Sequence, residues 1–346
     1  MKSKEDIEIT NKFPFISAIG IKAPVRVAIE LERLRNVKHI TFSSHVTALI
    51  NQARKVVHIE EAEKLNLTGK GVTVAVIDTG ASQHFDLTFP HSKILHFENI
   101  LDENTAPCDD NGHGTFVCGL IAGNGLLSGG RLCGVAPGCN LVVVKALNEK
   151  GETSAINILK AMQWVHENRQ KFNIRVCCMS FGAEPLGYGD PLVAGAEVLW
   201  RDGIVVVSAA GNSGPAEKTI KSPGTASRVI TVGALDYGEN SSEELGYSVA
   251  SFSSRGPGIY GFKPDCLAPG VKIKGLSCSK ENPYTEMSGT SMSAPIVAGL
   301  CALIIEKHPT IRPDQVKMIL LKSGRKFSNN RNDEGAGLVD AAKFNI

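Results

Sequence analysis

The chain has 346 residues, of which 42% are hydrophobic and 21% charged, with a formal charge of +2. That balance fits an ordinary globular chain with a sizeable core and excludes disordered or fibrous classes. A charge so near zero gives no electrostatic reason to expect nucleic acid or an acidic membrane surface as a partner. The first residues, Met1-Lys2-Ser3-Lys4-Glu5-Asp6-Ile7-Glu8, are charged and lack the apolar stretch of a secretory signal. No uninterrupted apolar run reaches the ~18 residues of a membrane-spanning helix. Residues 25–31 and 37–42 alternate or nearly alternate between apolar and polar, as half-buried strands do. Residues 1–50 differ in character from the rest and are separated from a second unit, 51–346.

From about residue 70 the pattern changes to strands alternating with helices. Continuous β-branched apolar runs predict buried strands at 72–77, 141–147, 174–179, 204–209 and 229–233. Between them, Ile156, Leu159, Met162 and Val165 recur at helical spacing and predict a helix over 155–169; another is expected over 192–202. This alternation predicts an α/β fold with a doubly wound, mostly parallel sheet.

Nine cysteines occur, an odd number, at 108, 118, 133, 139, 177, 178, 266, 278 and 301. Cys118, Cys177, Cys178 and Cys301 sit in apolar or small-residue runs and read as buried thiols. The adjacent pair Cys177-Cys178 has no zinc-like spacing. Reduced thiols imply a reducing compartment, and cytoplasmic localisation is the expectation.

Three Gly-rich segments carry the chemistry. Val74-Ala75-Val76-Ile77-Asp78-Thr79-Gly80 places Asp78 at the end of a buried strand, where ligands of open α/β sheets bind. Asp110-Asn111-Gly112-His113-Gly114-Thr115 sets His113 at a loop-to-helix junction between two glycines. Met287-Ser288-Gly289-Thr290-Ser291-Met292-Ser293-Ala294-Pro295 starts a small-residue, apolar helix at whose N-terminus Ser291 lies beside free backbone N–H groups. Taken singly, these read as a turn aspartate, a structural histidine and a serine N-cap. Together they are the set for nucleophilic acyl transfer, and Asp…His…Ser is one of three unrelated orders in which that triad occurs.

In this order the segments resemble the subtilisin-like serine proteases, over about residues 55–345. The resemblance implies Ser291 as nucleophile, His113 as general base and acid, and Asp78 as the group orienting His113. Ala209-Ala210-Gly211-Asn212-Ser213-Gly214-Pro215 is similar to the family's oxyanion segment and implies Asn212 as a donor to the oxyanion. Met179-Ser180-Phe181-Gly182 and Ala146-Leu147-Asn148-Glu149-Lys150-Gly151 resemble two edge segments that clamp an extended peptide, implying Ser180, Phe181, Gly182, Leu147, Gly151 and Gly211 as substrate-binding residues. No acid replaces Ser213 after Asn212, so an apolar preference at the residue before the scissile bond is expected. Where the family pattern has a second histidine, this chain has Phe116.

The family also implies that residues 1–50 are a small α+β prosegment, an intramolecular chaperone and inhibitor that the enzyme cuts away. The chemistry needs no cofactor. Asp86 matches a family calcium ligand, but the loop completing that site carries Arg131 and no carboxylate, so the site is expected absent or weak. Expected partners are a peptide or unfolded protein substrate and the chain's own prosegment, with no nucleic acid and no membrane. The missing signal and the thiols are most like the intracellular bacterial (AprX-like) branch. Two alternatives are a narrow processing protease for one precursor and an inactive pseudoprotease acting as a binding module. The intact Asp78, His113, Asn212 and Ser291 count against the second.

Overall fold

The computed structural model describes residues 7–14, 18–24, 27, 30, 31, 34–38, 52–103, 106–238, 246–279, 281–328 and 330–344. The chain divides into two compact units, Met1–Ala48 and Leu49–Ile346. In the first, β1 (Glu8–Phe13) pairs antiparallel with β2 (Ala18–Lys22), with a register irregularity between Ile9 and Asn11. Neither strand was expected. Within the strand expected over 25–31, Val27, Glu30 and Leu31 are instead helical. The apolar Val27 and Leu31 stand four apart, so the same residues also satisfy a 3.6-residue period. Val37 and Lys38 are irregular; the rest of the strand expected over 37–42, and residues 43–50, lie outside the described residues.

The second unit is built on a parallel sheet. Its strands are β3 (Thr73–Asp78), β4 (Ile94–Asn99), β5 (Asn140–Lys145), β6 (Ile174–Met179), β7 (Val205–Ala209), β8 (Ile230–Asp236), β9 (Ser248–Val249) and β10 (Cys266–Pro269). The order is β10-β8-β7-β6-β3-β5-β4, all parallel, with β9 antiparallel to β8. Strands β3, β5, β6 and β7 are apolar almost throughout and buried, as a sheet covered on both faces requires. A separate hairpin of β11 (Ile273–Leu276) and β12 (Tyr284–Met287) leads into the Ser291 segment. The expected doubly wound α/β class holds.

Two helix pairs flank the sheet. Helix α1 (His113–Ala122) packs with α4 (Thr290–Lys307); α2 (Ala155–Asn168) packs with α3 (Pro191–Arg201); α5 (Pro313–Lys322) follows α4. Their starts follow local chemistry. Ser154 caps α2 by accepting from Asn157 N–H, and Asp190 caps α3 by accepting from Leu192 N–H with Pro191 in the first turn. Helix α4 is apolar all round and long enough to cross a membrane, yet 83% of it is buried inside the domain.

The strand order matters for function. The chain leaves β3, builds β4 and β5 on one side, then returns to lay β6, β7 and β8 on the other. The switch point is therefore β3, and its carboxyl end opens a crevice between β5 and β6.

Candidate active site

Asp78 is the last residue of β3 and sits in that crevice. Its side chain is 1% exposed, and its Oδ1 accepts from Thr79 N–H at 2.7 Å and pairs with His113 Nδ1 at 2.7 Å. Its Oδ2 is buried with no hydrogen-bond partner among the described residues. The main-chain carbonyl of Asp78 accepts from Ala146 N–H at 2.9 Å and Leu147 N–H at 3.2 Å, which fixes the strand end.

His113 opens α1. Gly80 and Gly114 let the loop after β3 and the start of α1 touch: a Cβ on Gly114 would collide with the carbonyl of Gly80, and one on Gly80 with the carbonyl of Cys108. Asp109 holds this loop. Its Oδ1 accepts from Gly112 N–H at 2.8 Å and Thr79 Oγ1 at 2.9 Å, and its Oδ2 from Thr115 N–H at 2.8 Å and Thr115 Oγ1 at 2.6 Å. Partial burial of the imidazole lowers its pKa, but the charge of Asp78 and the hydrogen bond to it raise it more, so His113 lies above 6.5.

Ser291 is the second residue of α4. Its Oγ donates to the carbonyl of Ser180 at 2.8 Å rather than to His113. Ile77 pairs with Met179, so Asp78 and Ser180 leave the sheet side by side. Ser291 is thus brought beside the Asp78–His113 pair through Ser180, and no direct Ser291–His113 hydrogen bond is present.

Asn212 lies just beyond β7 and is exposed. Its Oδ1 accepts from Thr290 N–H at 2.9 Å and Thr290 Oγ1 at 3.0 Å. Thr290 Oγ1 also accepts from Gly211 N–H at 3.2 Å. The amide is therefore locked with its oxygen inward, which leaves the Nδ2 donor side facing Gly289 and the Ser291 turn. That is what stabilising a negative charge beside Ser291 requires.

A family model for the subtilase family matches residues 69–338. The chain belongs to the subtilase family. It is 42% identical over 334 residues to serine protease AprX of Bacillus subtilis (strain 168), covering 90% of this chain and 75% of that one. Against subtilisin DY of Bacillus licheniformis the identity is 35% over 265 residues, covering 76% and 86%. A crystal structure of a cold adapted subtilisin-like serine proteinase superposes with a TM-score of 0.65 at 29% identity, covering 80% of this chain and 90% of that one. The chain is a subtilisin-like serine endopeptidase.

The remaining residues expected to bind substrate lie on the segments that follow β5, β6 and β7. Ser180 is buried at the end of β6, Phe181 is half-buried and Gly182 exposed. Leu147 and Gly151 follow β5; Gly151 has φ 75°, and Asn111 Nδ2 donates to Glu149 carbonyl at 2.9 Å, tying that loop to the His113 loop. Gly211 has φ 107°.

Asp109 and Lys145 stand in no motif of the sequence, yet both hold the site together. Lys145 is buried at the end of β5 and donates to Thr79 carbonyl at 2.7 Å, Leu147 carbonyl at 3.1 Å and Asp110 Oδ1 at 2.7 Å. Its only sequence signal is a lysine closing an apolar run.

The calcium candidate meets a poor donor set. Asp86 is fully buried; its Oδ1 accepts from Leu127 N–H at 2.9 Å and its Oδ2 from Tyr284 hydroxyl at 2.6 Å. Arg131 Nε donates to Ser128 carbonyl in the same loop. Among the described residues no group of three or more His, Cys, Asp or Glu could hold a metal. Residues so engaged do not fit a dication.

Proposed function

We propose that Ser291 is the nucleophile, His113 the general base and acid, Asp78 the residue that orients His113, and Asn212 an oxyanion donor. The observation that carries this reading is the 2.7 Å Asp78–His113 pair at the switch-point strand, with Ser291 bonded to the neighbouring strand end. Asp78 holds the proton on Nδ1, so Nε2 is the basic nitrogen. As peptide binds, the Ser291 hydroxyl turns from the Ser180 carbonyl to His113 Nε2; such bonds often form only in the substrate complex. Oγ attacks the scissile carbonyl and its proton passes to Nε2. The oxyanion accepts from Asn212 Nδ2 and from a backbone N–H at the start of α4. His113 then protonates the leaving amine, and water repeats the sequence on the acyl-enzyme.

Ser180, Phe181, Gly182, Leu147, Gly151 and Gly211 hold an extended peptide or unfolded protein across the two edge segments. No cofactor takes part. Structural calcium at Asp86 is replaced by the Tyr284 and Leu127 hydrogen bonds. The enzyme works in the cytoplasm; the free, buried thiols of Cys118, Cys139, Cys177, Cys178, Cys266 and Cys301 support a reducing compartment. Residues 1–50 act as a prosegment that the enzyme cuts and then retains as a bound inhibitor. Cleavage falls between about residues 47 and 55.

The test compares wild type with Ser291→Ala. Peptide hydrolysis should fall by about 10⁴-fold or more in the variant, a magnitude known for such triads in general. N-terminal sequencing should find wild type cut near residue 50 and the variant intact from Met1. Equal turnover by the two proteins overturns the triad; a fully active wild type that keeps Met1 overturns the prosegment.

A further inference from the structure

Lys221 is seated between the two segments that flank Ser291. Its N–H donates to the Ala210 carbonyl at 2.9 Å, and Ser222 exchanges two hydrogen bonds of 2.9 Å with Ala183. Residues 221–222 therefore stitch the Gly211–Asn212 turn to the Gly182–Ala183 turn and close the end of the crevice between them. The lysine stem fills that end. A Cβ built on Gly182 would lie 2.6 Å from Lys221 Cβ, and one on Gly211 2.5 Å from Lys221 Cγ. The two glycines thus leave room for the stem of Lys221, and the space that would make a deep apolar pocket is already taken. The Lys221 side chain is 17% exposed, and its ammonium pairs with Glu184, whose side chain is 82% exposed.

We infer that Lys221 is a specificity-determining residue, and that it selects glutamate or glutamine immediately before the scissile bond. This rests on the serine endopeptidase reading of the site. Three physical consequences follow from the position of Lys221. The stem makes the pocket shallow, which disfavours Phe, Tyr and Trp. The ammonium repels Lys and Arg in a partly desolvated crevice. A long acidic or amide side chain reaches the ammonium as an acceptor and displaces Glu184 into water. That exchange is easy because an ion pair to a carboxylate so exposed contributes little. The apolar preference expected from Ser213 is therefore replaced by a polar one set from the opposite wall.

Peptides identical except for Leu, Phe, Gln, Glu or Lys before the scissile bond test this, with active enzyme titrated by a fluorophosphonate. Wild type should cleave the Glu peptide with a higher kcat/KM than the Lys peptide. Lys221→Met keeps the stem and removes the charge: the Glu-to-Lys ratio should drop at least about tenfold while Phe remains poor. Lys221→Ala removes both, and should also raise kcat/KM for Phe about tenfold, the scale of a methylene-sized change in a pocket. Glu184→Gln removes the competing charge from the ammonium and should raise kcat/KM for the Glu and Gln peptides but not for the Leu or Phe peptides. A preference profile that both Lys221 variants leave unchanged, in titrated active enzyme, overturns the assignment. A wild type that takes no fluorophosphonate and cleaves none of the peptides overturns the endopeptidase reading and the pocket with it.

Discussion

At the scale of single residues, proton accounting at His113 sets the response to pH. Burial works against the imidazolium, but the charge and hydrogen bond of Asp78 outweigh it and the pKa is raised above 6.5. The unprotonated ring is the base, so activity is absent below that pKa and grows as pH rises through it. The rising limb of kcat/KM should therefore centre above pH 6.5. Asp78→Asn should shift the limb downward and cost about 10⁴ in kcat, through the wrong tautomer and an unpaired imidazolium. A flat profile between pH 5 and 8, or a limb centred below 6.5, contradicts the role of His113. Asp78, His113, Asn212 and Ser291 were legible because each stands in its own short Gly-rich segment. Lys221, Asp109 and Lys145 were not, because what they do is decided by residues far along the chain. Lys221 is an ordinary loop lysine until Gly182 and Gly211 close around it.

At the scale of elements, the start of α1 depends on Asp109. Its carboxylate accepts from two hydroxyls and several backbone N–H groups, and so holds Gly112, His113 and Thr115 over the end of β3. Hydrogen bonds to charged groups are the stronger kind, and donors left without a partner carry a further cost. Asp109→Ala should lower unfolding free energy by about 2–3 kcal/mol in urea, measured in the Ser291→Ala background to prevent self-digestion. The same change in active enzyme should lower kcat. Unaltered stability and turnover contradict the part given to Asp109. Long apolar runs made the buried strands legible to within a residue or two at most ends: 174–179 matches β6, and 72–77 is one residue from β3. Edge strand β4 escaped because its residues are mostly half-buried, and β10 to β12 because they are four residues each. The helical state of Val27, Glu30 and Leu31 was misread because Val27 and Leu31 fit both periods.

At the scale of the whole molecule, sequence alternation implied a parallel sheet but not its strand order. The order decides that β3 is the switch point, so that Asp78, Leu147, Ser180 and Asn212 all emerge on one edge. A second long-range tie, from Asp86 to Tyr284, joins the segment after β3 to β12. Burial and the bond to Asp86 push the Tyr284 hydroxyl up to about 12, so it remains a donor at working pH. On the proposed reading this tie stands in place of a cation. Adding calcium or EDTA should move the Tm of Ser291→Ala protein by less than about 2 °C, whereas Tyr284→Phe should lower it by several degrees. A calcium-dependent rise of more than about 5 °C shows a bound ion and contradicts this account. The central claim, that Ser291 is the nucleophile of a working subtilase, is tested most directly by fluorophosphonate labelling and mapping of the modified peptide. One label per chain is expected, on Ser291, and it should be lost in Ser291→Ala and in His113→Ala. A label on another serine, or peptide hydrolysis that persists in fully labelled enzyme, contradicts it.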